Sequence, residues 1–177
     1  MQFKECYQNP FIEERADPYI TLGPDGFYYF TASYPMKSAD DKDGYDRVIL
    51  RRAKDISELA SAEEITIWKV ADTTLTHRFI WAPELHYIAG RWYVFYAGSE
   101  DKENNWAFDC HVLVCDSDDP YTGTWSEKGK FQKREDDDFS FTGFSLDMTY
   151  FENGERSYVI WAQHSPEKIS CLYLGEL

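Results

Sequence analysis

The chain has 177 residues, which suits one domain at the usual ~150 residues per domain, and 18% of them are aromatic, too many for a disordered chain. Its formal charge of −14 argues against a nucleic-acid partner, whose phosphates want clustered Lys and Arg, and leaves room for a neutral ligand. No apolar run approaches the ~18 residues of a membrane helix, and the opening "MQFKECYQNP" has no apolar signal core, so no membrane partner and a cytoplasmic location are expected.

In chain order, the first predicted element is the segment "DPYITLGPDGFYYFTAS" from Asp17. It reads as a strand, a turn at Gly26 and an aromatic strand, which is a hairpin. A polar loop, "KSADDKDGYD", leads to the strand "RVILRRAK" (47 to 54). "AKDISELASAEE" (53 to 64) can form a helical turn on the way to a fourth strand, "ITIWKV" (65 to 70). The pattern then repeats. "ELHYIAGRWYVFYAGS" from Glu84 is a second hairpin with its turn at Gly90. "HVLVCDS" (111 to 117) and "TWSEKGKF" (124 to 131) read as strands from their β-branched and aromatic content, separated by the loop "SDDPYTG". "DMTYFENGERSYVIWAQ" from Asp147 is a third hairpin, turning at Gly154, and "SCLYLGEL" (170 to 177) is a further strand.

The three hairpins begin on an acid at offsets of 67 (17 to 84) and 63 (84 to 147) residues. A repeat of that size means a solenoid, an array or a propeller, and four strands per unit is one propeller blade. The expected fold is all-β, a β-propeller truncated to about three four-stranded antiparallel blades. Blade one covers about residues 9–75, blade two about 76–140, and an incomplete blade three about 141–177, in one partial domain. A closed ring needs at least four blades, so the chain reads as the front portion of a longer protein, with open blade faces through which it could self-associate.

Other candidate groups read as structural. Cys6, Cys110, Cys115 and Cys171 form no CxxC pair and are expected as reduced, packed thiols. His77, His86, His111 and His164 lack zinc-ligand spacing. "DDKDG" (40 to 44) resembles half a calcium loop without its closing Glu, and "REDDDF" (134 to 139) is a run of like charge; both are expected as solvated loops.

The acids themselves need a reason. Strand interiors disfavour Asp, and a carboxylate removed from water costs several kcal/mol unless compensated. In a propeller the first strand of each blade lines the channel, so Asp17, Glu84 and Asp147 are expected in equivalent positions, converging at one mouth. Clustered like charges shift one another's pKa values, as functional sites do. Paired carboxylates in a concave site are the equipment of glycoside hydrolysis. Trp81, Phe144 and Tyr34 lie beside the acidic strands or at a hairpin end, as sugar-stacking platforms or as core packing.

"RADPYI", "IWAPELHYIAGRWYVFYA" and "FSLDMTYFENG", in order and one blade apart, resemble glycoside hydrolase family 43, a family of five-bladed propellers that includes arabinofuranosidases, xylosidases and arabinanases. The resemblance runs from Asn9 to about Leu174 and is nearest to the arabinofuranosidase-like members. It implies an inverting glycosidase that releases arabinofuranosyl or xylosyl units from plant-cell-wall oligosaccharides or aryl glycosides. By that resemblance Asp17 is the general base and Asp147 tunes and orients the general acid. The acid is a Glu in a Glu-Gly-Pro context, and no such stretch occurs here. Glu84 shapes the pocket, and Arg15, Tyr34, Trp81 and Phe144 join it as substrate-binding candidates. The sequence itself requires no cofactor; the family fold adds a structural calcium in the channel as an open question. The rival readings are an inactive truncated propeller that binds sugar or assembles with a second polypeptide, and an interaction propeller, which would want the Gly-His and Trp-Asp signatures missing here.

Overall fold

A computed structural model describes residues 7–38, 43–72, 76, 78–101, 104 and 106–177. Cys6, His77 and most of the "DDKDG" loop lie outside the described residues. The fold is all-β, with three antiparallel sheets. β1 (Ala16–Leu22), β2 (Tyr28–Ser33), β3 (Arg47–Ala53) and β4 (Ile65–Lys69) form the first, in sequence order. β5 (Arg78–Ile88), β6 (Arg91–Ser99), β7 (Phe108–Cys115) and β8 (Trp125–Lys130) form the second in the same order. β9 (Ser145–Asn153), β10 (Arg156–His164) and β11 (Ser170–Glu176) form the third. Each sheet is one propeller blade, with β1, β5 and β9 as the inner edges, and β5 lies against both β1 and β9.

Local chemistry fixes these elements. Gly26, Gly90 and Gly154 turn the three inner hairpins at φ of 74°, 82° and 65°, a region glycine enters without a Cβ clash. The expected helical turn is a short 3-10 segment, Ile56–Ala60, started by a capping box between Asp55 and Glu58. β7 begins at Phe108, three residues before the predicted strand. Asp109 disguised it: its carboxylate accepts from Lys130 Nζ on β8 (2.8 Å), a cross-strand pair that lets an acid sit in a strand.

The blades pack face to face. Tyr29, Val48, Leu50 and Trp68 of the first meet Ile80, Leu85, Trp92, Val94, Leu113 and Trp125 of the second. Phe95 and Cys110 of the second meet Met148, Val159 and Trp161 of the third. Each large side chain so buried is worth about 1.5–3 kcal/mol. Trp92 is fully buried, sits edge-on to Tyr29 at 5.2 Å and donates its indole N–H to the Asp118 carbonyl (2.9 Å). A polar clamp joins the same two blades: Arg52 of β3 donates to both Asp119 oxygens (2.9 Å each) and lies over the Tyr121 ring at 4.4 Å. Cys110 and Cys115 are buried and Cys171 half-buried, all as free thiols. On the far side of blade three, Leu172 and Leu174 of β11 are 75% and 62% exposed, and Phe151 of β9, across β10, is 42% exposed. That is an apolar face in water.

Candidate active site

Each inner strand is kinked at one equivalent place, and β5 carries a second register shift between Arg78 and Trp81. In β1 the register runs Ala16↔Ser33, then Tyr19↔Thr31. In β5 it runs Trp81↔Ala97, then Glu84↔Phe95. In β9 it runs Leu146↔Ala162, then Thr149↔Ile160. Two residues oppose one each time, which is a β-bulge, a device that re-aims a side chain next to active sites. The first bulged residue has left-handed backbone in every blade: Asp17 at φ 51°, Ala82 at 43° and Asp147 at 52°. Asp tolerates that region better than most residues, because its short polar side chain bonds locally.

This register corrects one expectation. Asp17 and Asp147 do hold equivalent positions, but their counterpart in blade two is Ala82. Glu84 sits two residues further on, in the row of Tyr19 and Thr149. Asp17 and Asp147 are exposed and Glu84 is half-buried.

The acids nevertheless sense one another. The carboxyl of Asp147 is pushed above the ordinary carboxylate range, by crowding from surrounding protein first and then by the charges of Asp17 and Glu84. Asp17 accepts a hydrogen bond from the Ser33 hydroxyl (2.7 Å), and the same Ser33 oxygen accepts the Ala82 N–H (2.8 Å). Glu84 Oε2 lies 3.1 Å from His86 Nε2, and His86 Nδ1 lies 3.4 Å from the Tyr19 hydroxyl. Sequence reasoning passed over Ser33 and His86. The signal for Ser33 was the polar end of "YYFTAS", directly across the hairpin from the acid.

The other candidates are placed as follows. Arg15 forms an ion pair with Glu64, which also pairs with Arg51 (3.0 Å), and its guanidinium lies over Tyr34 at 4.3 Å. Arg47 lies over the same ring at 4.4 Å. Arg15 and Tyr34 are thus brought together, but each is already engaged with blade-one partners. Trp81 stacks on Phe108 at 4.2 Å, and Phe108 meets Phe144 edge-on at 5.5 Å. Phe144 in turn stacks on His164 at 4.8 Å. The result is an aromatic wall from blade two to blade three, with Trp106 67% exposed at its rim. A cavity of about 780 Å³ opens against Trp106, Phe144 and His164. Among the described residues no group of three His, Cys, Asp or Glu side chains is arranged to hold a metal ion.

Antiparallel blades with bulged inner strands, two of them bearing an acid at the bulge, define the chain as part of a β-propeller. A family model for glycosyl hydrolases family 43 matches residues 7–177, and the chain belongs to that family. It is 39% identical over 173 residues to the "Extracellular exo-alpha-(1->5)-L-arabinofuranosidase" of Streptomyces chartreusis, covering 97% of this chain and 48% of that protein. It is 41% identical over 161 residues to the protein of the same name from Streptomyces avermitilis, covering 90% of this chain and 30% of that protein. A solved α-L-arabinofuranosidase from Lactobacillus brevis superposes with a TM-score of 0.81 at 36% identity, covering 97% of this chain and 51% of that one. The chain spans between 30% and 51% of the length of these relatives. The expectation of a cytoplasmic location is overturned: both Streptomyces relatives are named extracellular.

Proposed function

We propose that this chain supplies the base-bearing part of an inverting exo-acting α-L-arabinofuranosidase. The observation that carries the reading is the pair of kinked carboxylates, Asp17 and Asp147, in equivalent bulges of β1 and β9 and electrostatically coupled. In this reading Asp17, held by Ser33, takes a proton from the attacking water. Asp147 holds the general acid in orientation and keeps it protonated. The acid itself is a Glu from outside these residues. Inversion requires roughly 6.5–9.5 Å between base and acid so that water fits. Half-buried Trp81 and Phe144, backed by buried Phe108, give a sugar ring an apolar face to lie on, and Glu84 shapes the pocket. Arabinose is preferred over xylose because the relatives' names specify α-(1→5)-linked arabinofuranosyl units, and the same names support a secreted enzyme.

The test is hydrolysis of aryl α-L-arabinofuranoside and aryl β-D-xyloside by these residues joined to an acid-bearing remainder, and by the same protein with Asp17→Asn, with product configuration followed by NMR. Faster arabinoside turnover, inversion, and a loss of about 10²–10⁴-fold in the variant are expected. Full activity in Asp17→Asn removes Asp17 from the base role. The exposed Leu172 and Leu174 face favours a second reading, in which these three blades act only after docking a second polypeptide that bears the acid. In that case residues 1–177 self-associate in light scattering when alone and cleave sugar once a separate acid-bearing polypeptide is added.

A further inference from the structure

His86 has no place in the reaction outlined above, yet it occupies the meeting point of all three blades. The side chain is 4% exposed. Its ring is boxed by Tyr19 of β1 at 5.2 Å, Phe95 of β6 at 5.0 Å and Tyr150 of β9 at 5.7 Å. Both ring nitrogens face polar partners, Glu84 at Nε2 and Tyr19 at Nδ1. The proton arrangement follows from those partners. A carboxylate only accepts, so Nε2 carries the proton and donates to Glu84. The Tyr19 phenol is pushed up to about 12, by burial first and the Glu84 charge second. It therefore keeps its proton and can offer it to Nδ1 where that nitrogen is bare. The other titratable groups near this box are Asp17 on β1, and Asp147, Tyr150 and Glu152 on β9, where the Tyr150 hydroxyl is turned to Glu152 (2.6 Å).

We propose that His86 is a positioning residue: with its Nε2 proton it holds the Glu84 carboxylate in place and so fixes the negative charge that Asp147 faces. This deepens the reading above and rests on its choice of Asp147 as the residue whose protonation matters. Glu84 is half-buried on a flexible stem. Without a donor at its base, the carboxylate is free to turn toward water, and Asp147 then loses a repulsive neighbour. The Tyr19 contact matters because a ring protonated at Nδ1 instead would present a bare lone pair to Glu84.

The experiment is a carboxyl titration of Asp147 by NMR in the full chain with labelled Asp, which needs no turnover. Glu84→Gln is expected to lower the Asp147 midpoint. His86→Phe keeps an aromatic ring in the box but removes the donor, and is expected to lower the midpoint by a similar amount. His86→Gln, whose amide replaces the Nε2 donor, is expected to restore most of it. The Glu84→Gln, His86→Phe double variant should shift no further than either alone. An Asp147 midpoint unmoved by His86→Phe but moved by Glu84→Gln overturns the proposal, as does a midpoint indifferent to Glu84. If His86→Phe fails to fold, the nitrogen spectrum of His86 in the unsubstituted protein decides: a ring with a bare Nε2 at neutral pH overturns it, and a ring with Nε2 protonated supports it. Full arabinosidase activity in Asp17→Asn would sink the functional reading while leaving these titrations intact.

Discussion

Ser33 donates its hydroxyl to Asp17 at 2.7 Å and, through the same oxygen, takes the backbone N–H of Ala82 at 2.8 Å. One fully buried hydroxyl thus fixes the carboxylate of blade one and satisfies the kink of blade two. Ser33→Ala leaves that amide without its partner, and an unsatisfied buried group costs about 1–3 kcal/mol. Urea unfolding is expected to show a lower midpoint with an unchanged slope.

Asp147 gives a pH prediction with a definite sign. Its carboxyl is raised in the folded state, by crowding first and then by Asp17 and Glu84, so the folded chain holds that proton more tightly than the unfolded one. Its contribution therefore favours folding at low pH and is lost as pH rises through the unfolded and then the folded value. Asp147→Asn removes this penalty. The melting temperature of the variant, minus that of the parent, is expected to grow from pH 3 to pH 7.

His111 works in the opposite sense. It is fully buried, stacked on Tyr96 at 5.2 Å, with Glu100 3.6 Å from Nε2 and Lys130 nearby. Burial pushes its pKa down from 6.5 to about 4. The unfolded chain thus takes up a proton at higher pH than the folded one. Stability from this group is whole above pH 6.5 and drains away as pH falls toward 4, by about 3 kcal/mol at most. His111→Phe is expected to flatten that part of the stability–pH curve in parallel denaturation series.

The Arg52–Asp119 clamp is partly exposed, at 28% and 37% for the two side chains, so screening limits its worth to about 1 kcal/mol. A double-mutant cycle between Arg52→Ala and Asp119→Ala measures it. A coupling indistinguishable from zero would leave the seam between blades one and two to its apolar core and to bonds such as Ser33–Ala82.

The strands were legible because their signals are local. Gly26, Gly90 and Gly154 mark hairpins whatever surrounds them, and the acid at the head of each first strand marked the repeat. The kinks were not legible, since a bulge is a mismatch between two strands and no single strand encodes it. Counting from acid to acid therefore set Glu84 against Asp17. The alignment of Pro18 with Pro83, each following a left-handed residue, was the better guide. His86 escaped for a related reason: its partner Tyr19 lies 67 residues earlier, and a ring held across blades leaves no spacing to read. Arg15 was visible in "RADPYI", but its pairing with Glu64 across 49 residues was not.

Ala82 holds a left-handed backbone with a methyl side chain that gains nothing from it, at a cost of roughly 1–2 kcal/mol for an ordinary L-residue. The kink is therefore built even where no carboxylate uses it. Each blade carries a ready-made seat at the axis, and what occupies the seat is a separate choice from making it. Two of the three hold an acid; the third is vacant in the chemical sense only. A scaffold of this kind can change its reaction by swapping occupants, with no strand to lengthen and no loop to rebuild.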